Sequence, residues 1–394
     1  MLEKNFNIFK FTLLDLYTLC TFLYVLVQSN ISIQYTMIKN LIMIMLFCFM
    51  IFGVIYHCAT HNKINIRLMF FLLTILIWIF LMIFMNKWDK NLLLIPIFAY
   101  IVSDYKVDDI LKRYSYATFA GIFFVILLMS VHLLNNDQII DVSSNELRQS
   151  VGFNWVSFGP NMYLSAVAGF LAYKKEKIKI FQLIVFLFIN IWFYKKTLTS
   201  AAWILIDLAL IMSFIFRNNF TKEHFFRNKI VKFAFKNITS VTAITTIGFQ
   251  LIYNKLWTTQ FMINLNKLSN FRLSLNRNAF INYKILPLGQ HIIWDQMSSN
   301  NNYFYIDSSY IRILFTGGIV TLIGVCIVLD ILSKNAVSSK NYYYTAMLGI
   351  IVLHGISDPL LISCRDNPFL ITIVPSFIEY YSKNKKVSEK EYGH

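Results

Sequence analysis

Long apolar runs alternate with short polar connections along this chain, and one extended polar stretch, Asn254 to Ser309, interrupts the alternation. The apolar runs fall at 11–28, 37–56, 68–85, 91–103, 117–134, 157–173, 179–194, 198–216, 233–253, 310–332, 342–359 and 367–381. Runs of roughly 18–20 apolar residues cross a bilayer as helices, because a helix satisfies its own backbone groups where water is absent. The fourth run is the weakest, being short for a full crossing. Barrel strands would alternate in units of about ten residues, a pattern this chain lacks. The prediction is an all-α, polytopic integral membrane protein of about 12 transmembrane helices. It forms one membrane domain, 1–394, with an external loop at 135–156 and a long one at 254–309. No internal repeat, Pro/Gly linker or soluble domain stands out, and the first run lacks a small-residue cleavage site, so it reads as a retained helix.

Composition supports this pattern. Hydrophobic residues make up 57% and charged residues 14%, against about a quarter charged in soluble domains. The formal charge of +16 points to membrane topology, with no nucleic acid among the expected partners, because the lysines and arginines sit between apolar runs and gather on alternate sides. Segments 57–67, 104–116, 174–178, 217–232, 333–341 and the tail after Tyr381 share the basic side, and 217–232 reads as facing lipid headgroups. The positive-inside rule then places both termini in the cytoplasm. Low Ala and Gly with abundant Ile, Asn, Lys and Phe fits an AT-rich bacterial genome, hence a bacterial cytoplasmic membrane. The cysteines, Cys20, Cys48, Cys58, Cys326 and Cys364, have no motif spacing and predict neither a disulfide framework nor a metal site.

Candidate chemistry lies in the two external stretches. The first carries Asp137, Asp141, Glu146 and Arg148, then Gly159-Pro160-Asn161 as a helix start. The second carries Arg272, Arg277, His291, Asp295 and Asp307, with Tyr310 and Arg312 at its boundary. An arginine fork donates parallel hydrogen bonds to a diphosphate and stabilises charge developing on such a leaving group, while a carboxylate or histidine takes a proton from an attacking hydroxyl. Trp155, Trp294, Tyr303 and Tyr310 offer stacking faces for sugars, or belong to the interfacial belt. The plain alternatives are interfacial arginines that snorkel to water and an Asp307 that caps the following helix. Asp207 is an isolated mid-run acid, functional or paired with a neighbouring helix. His354 and Asp358 stand four apart, close enough to meet on one helical face.

The order Arg148-x-x-x-Gly152-Phe153, Gly159-Pro160-Asn161, Lys195-Lys-Thr-Leu-Thr-Ser200, Leu268-Ser-x-x-Arg272, Asp307-Ser-Ser-Tyr310, Gly317-Gly318 and Gly355-Ile-Ser-Asp358 resembles the Wzy-type polysaccharide polymerases of the O-antigen polymerase and ligase superfamily. The resemblance spans roughly 145–365. It implies a GT-C-like fold and extracytoplasmic glycosyl transfer without metal or cofactor: a growing capsule or exopolysaccharide glycan leaves undecaprenyl diphosphate and joins the end sugar of a lipid-linked repeat unit. A chain-length regulator and a flippase would be its partners. By resemblance Arg148, Arg272 and Asp307 would be catalytic, with Arg277, Tyr310, Arg312, His291 and Lys196 binding substrate. Two departures stand out. Thr199-Ser200-Ala201 replaces the family's Thr-x-Ser-Arg, leaving Lys195 or Lys196 to supply that charge, and Asp307 stands where related ligases carry His.

Two other functions fit the helix count. A lipid-linked oligosaccharide flippase needs no chemistry, but transporters commonly carry internal repeats. A polyprenyl-phosphate-sugar transferase would carry acids in its first external loop, and Ser29 to Thr36 has none.

Overall fold

The computed structural model describes residues 12–31, 36–60, 66–85, 90–140, 146–293 and 304–380. Asp141, Trp294, Asp295, Tyr303 and both chain termini lie outside the described residues. Helix occupies every apolar run: α1 (Leu13–Val27), α2 (Thr36–Thr60), α3 (Ile66–Met85), α4 (Lys90–Ile101), α5 (Val107–Ser130), α6 (Phe158–Lys174), α7 (Ile180–Thr197), α8 (Ser200–Phe216), α9 (Asn219–Arg227), α10 (Lys229–Lys236), α11 (Ile238–Leu256), α12 (Gln260–Leu268), α13 (Arg272–Asn282), α14 (Ser309–Thr316), α15 (Gly318–Ser338) and α16 (Tyr342–His354), followed by the segment Pro368–Tyr380. The described sheet is one antiparallel ribbon, β1 (Gln138–Ile140) with β2 (Leu147–Gln149), inside the first external stretch.

By length and composition, four helices among the described residues suit a bilayer crossing: Met37–Ala59, Val107–Ser130, Ile180–Thr197 and Gly318–Ser338. A fifth is added if α8 and α9 are counted as one span bent by 110°. The chain is thus a helical protein with several membrane-crossing candidates, and Leu13–Val27, Tyr342–His354 and Pro368–Tyr380 are shorter apolar helices beside them.

The helices pack closely because their contact faces are small. Lipid gives two apolar helices no hydrophobic reason to associate, so close backbone approach carries the packing. Helix α6 buries Ser165, Ala166, Ala168, Gly169 and Ala172. A Cβ at Gly169 would stand 2.7 Å from the Ser115 hydroxyl of α5, so only glycine permits this approach. Local signals also fix the helix ends. Thr12 and Asp15 form a reciprocal cap at the start of α1, and Asp15 also meets Arg113 of α5 at 3.2 Å.

These contacts define two ends of the bundle. At one end lie Asp15–Arg113, Lys175–Asp108 at 2.6 Å, and Glu379, which accepts the Val107 amide at 3.1 Å. The start of α1 and the end of the last described helix therefore share that end. Opposite it, the Asn30 amide meets the Gly152 carbonyl and the Asn154 amide meets the Gln28 carbonyl, both near 2.9 Å.

Three predicted features are corrected. The run 310–332 is not one helix: it breaks between α14 and α15, where Gly318 takes a left-handed φ of +78°. Loop 286–290 caps the break, with the Ile319 and Val320 amides donating to the Leu286 and Pro287 carbonyls at 3.3 and 3.1 Å. The run 342–359 stops as helix at His354. The run 233–253 is also divided, α10 ending at Lys236 and α11 starting at Ile238, while the long polar stretch holds α12 and α13.

At Gly318 an added Cβ would collide with the Pro287 carbonyl and the Gly289 amide, whereas one at Gly324 meets nothing within 4 Å. Gly318→Ala is therefore expected to cost more than about 1 kcal/mol and to lower the thermal midpoint in detergent, with Gly324→Ala unchanged or slightly more stable. Equal midpoints for the two variants would contradict the capped break.

Candidate functional site

Arg272 becomes the first residue of α13 because the chain reverses just before it. Asn270 and Phe271 both adopt left-handed backbone, φ 54° and 61°, an unfavourable conformation for a bulky residue such as Phe271. The reversal is held by the Phe271 amide on the Asn266 carbonyl at 2.8 Å and the Ser274 amide on the Asn266 side chain at 3.0 Å. Gln250 of α11 then donates to the Leu273 carbonyl at 3.0 Å and ties α13 to the bundle.

From this position the Arg272 guanidinium reaches two elements. Its Nη1 donates to the Ser357 carbonyl at 2.5 Å, and its Nε faces Asp307 Oδ2 at 3.5 Å. Its Nη2 has no hydrogen-bond partner among the described residues. Both side chains keep partial exposure, 32% and 23%, so the pair sits at an accessible edge. Burial raises the Asp307 carboxyl above its ordinary value, while Arg272 and Arg312 pull it back. The Arg312 guanidinium lies 5.0 Å from the Tyr305 ring. Arg272, Arg312, Asp307 and Tyr305 thus share one electrostatic group.

Behind them stands Asp358, beyond the end of α16. Its carboxylate takes the Asn161 amide nitrogen at 2.5 Å and the Leu360 backbone N–H at 3.0 Å. Ser309 at the start of α14 donates its hydroxyl to the Asp358 carbonyl at 2.5 Å. Two carboxyls of different exposure therefore flank one arginine.

The predicted residues separate into groups. Arg272, Asp307 and Arg312 come together. Arg277 faces elsewhere, 4.3 Å over the Trp257 ring, since five helical residues turn it well away from Arg272. Arg148, opposite Ile139 in the ribbon, donates from Nε to the Thr197 carbonyl at 2.8 Å, next to the exposed Lys196. That group shares the same end of the bundle: Gly159, two residues before Asn161, packs against Phe193, one turn before Thr197. His291 is exposed on the loop that caps the helix break. Tyr310 stands apart from them in the packed interior. It is fully buried and its hydroxyl donates to the Val352 carbonyl at 2.8 Å, so it presents no free atom to a ligand. Asp207 accepts from Asn190 at 2.8 Å, within one helix pair. His354 and Asp358 share no helical face, because α16 ends between them. Asn161 and Ser309 escaped sequence reasoning as partners of Asp358; their only signal is their place in Gly159-Pro160-Asn161 and Asp307-Ser308-Ser309.

A cavity of about 510 Å³ opens at the other end, lined by Lys106, Lys175, Lys340, Tyr343 and Glu379. Its lining includes the ion pair Lys175–Asp108 and none of the residues grouped around Arg272.

No family model matches the chain, and no curated protein and no solved structure matches it.

Asp358→Ala would leave the buried Asn161 amide and the Leu360 N–H without their acceptor, and is expected to lower the thermal midpoint in detergent; an unchanged midpoint would refute the buried network assigned to Asp358.

Proposed function

We propose that the chain is a membrane glycosyltransferase that polymerises lipid-linked glycan, moving a growing chain from undecaprenyl diphosphate to the end sugar of a lipid-linked repeat unit. The observation that carries this reading is the meeting of Arg272, Arg312 and Asp307 in one accessible group at the end of a helical bundle. The opposite end gathers Lys174, Lys175, Lys177, Arg217, Lys222, Arg227, Lys229 and Lys232. On the positive-inside rule that basic end is cytoplasmic, which leaves the arginine group on the outer face and both termini inside. The twelve-span, GT-C-like architecture belongs to the same reading.

The chemistry needs few parts. The acceptor hydroxyl oxygen attacks the anomeric carbon, the bond from that carbon to the diphosphate oxygen breaks, and the hydroxyl proton passes to the Asp307 carboxylate. The diphosphate leaves with the bonding electron pair, and its new negative charge meets the unpartnered edge of Arg272, with Arg312 beside it. Asp358 and Asn161 hold the Ser357 turn on which Arg272 rests, so they are positioning residues. Arg148 and Lys196 supply positive charge at the same end, for the lipid diphosphate of the second substrate. Much of the rate would come from holding two lipid-anchored substrates in register.

The test is the size distribution of lipid-linked glycan in a deletion strain complemented with wild type or Arg272→Ala. Wild type is expected to give a ladder. Arg272→Ala, present in the membrane at the same level, is expected to leave single repeat units on the outer leaflet, with elongation reduced by roughly 100-fold or more. An undiminished ladder with Arg272→Ala removes the assigned site. Repeat units trapped on the cytoplasmic leaflet of the deletion strain would replace the polymerase reading with a flippase.

A further inference from the structure

Helices α9 and α10 join the end of α8 to the start of α11 at the basic end of the bundle. The chain turns by 110° from α8 into α9, so α9 runs across the bundle's end, and α10 follows it directly.

The inner side of the pair is fully engaged. Lys222 is buried, pairs with Glu176 and lies 5.6 Å over the Tyr343 ring. Phe226 stacks on Tyr342 with ring centres 4.3 Å apart, and Phe235 packs edge-on against Phe226 at 5.1 Å. The Phe235 carbonyl takes the Ser333 hydroxyl at 2.6 Å. These contacts span α15, α16 and the turn after α6, so the pair is seated on the bundle.

The outer side is different. Phe220 and Ile230 are each 79% exposed and Phe233 is 65% exposed. Interleaved with them stand Arg227, Lys229 and Lys232, for which no carboxylate lies within ion-pair distance among the described residues. Ile230 and Phe233 are three apart and so neighbours on the helix surface, with Lys229 and Lys232 beside them. Exposed single apolar residues need no explanation, but three large ones among three cations, on a helix pair lying across the end of a membrane bundle, form a set. At the headgroup level that set divides by chemistry: the apolar side chains enter the acyl boundary and the cations meet lipid phosphates.

We propose that α9 and α10 form an in-plane anchor that docks on an anionic lipid surface, with Phe220, Ile230 and Phe233 inserted and Arg227, Lys229 and Lys232 on the headgroups. The occupant is lipid because the inner face fixes the pair to helices that themselves lie in a bilayer, and the unpaired charge is mainly positive, Arg227, Lys229 and Lys232 standing against the one exposed acid Glu223. The inference needs only that the bundle is in a membrane and stands apart from the glycosyl-transfer reading.

The test uses the full chain with its cysteines replaced by serine and a fluorophore on Ile230→Cys, in nanodiscs of phosphatidylcholine with and without phosphatidylglycerol. With the anionic lipid, a headgroup-level spin-labelled lipid is expected to quench the probe and aqueous iodide to lose access. Phe233→Cys is expected to behave alike, and adding Lys229→Gln and Lys232→Gln to abolish the difference between the two lipid compositions. Iodide access in both lipid mixtures would overturn the anchor. Shielding from both quenchers would overturn it in favour of a protein partner, and equal lipid quenching in both mixtures would overturn its anionic preference.

Discussion

The buried turn between Gly355 and Asn367 is the constraint on which the site depends. Irregular backbone inside a membrane bundle persists only where protein groups satisfy its donors and acceptors, and here three neighbouring helices supply them. The Ser309 hydroxyl meets the Asp358 carbonyl, Asn161 meets the Asp358 side chain, Ser165 meets the Asp366 carbonyl at 2.5 Å, and Tyr114 donates to the Arg365 carbonyl. Within the turn, Arg365 and Asp366 form a buried pair at 2.7 Å, with Ser363 on the same carboxylate at 2.9 Å. The Arg365 guanidinium lies 4.9 Å from the Phe158 ring. Breaking such a pair leaves a buried charge uncompensated, so α5, α6, α14 and the end of α16 are held in one arrangement. Ser357, the acceptor for Arg272, rides on this turn. The accessible arginine is placed by a network buried behind it.

Much of the fold was legible because lipid imposes a simple rule. Each apolar run is occupied by helix, and α1, α3, α7 and α8 end within a few residues of the expected limits. What escaped was whatever hydropathy does not encode. The break at Gly317 and Gly318 sits inside an unbroken apolar run, and only the glycine pair hints at it; its capping partners, Leu286 and Pro287, come from a distant loop. Helices α12 and α13 lie in polar sequence and are held by tertiary contacts such as Gln250 on Leu273, so periodicity had little to report.

The site was legible in part, for a related reason. Charges in a hydrophobic chain advertise themselves, and Arg272, Asp307 and Arg312 were visible as such. Partnership was not. Asn161 and Asp358 are 197 positions apart, and nothing in either neighbourhood names the other. Tyr310 was ambiguous because an aromatic with a hydroxyl at a membrane boundary fits interface, ligand site and core alike; the structure buries it with its hydroxyl on Val352.

On the proposed reading, the arrangement around Arg272 would couple binding to proton affinity. Asp307 is held between burial, which favours its neutral form, and two arginines, which favour its charge. A diphosphate arriving at Arg272 and Arg312 would neutralise part of the charge that now stabilises the Asp307 carboxylate. Its proton affinity then rises at the moment a proton must be accepted from the attacking hydroxyl. On the proposed reading the donor substrate therefore strengthens the base that consumes it. Asp358, more deeply buried, is removed from that exchange and serves to hold the turn beneath it.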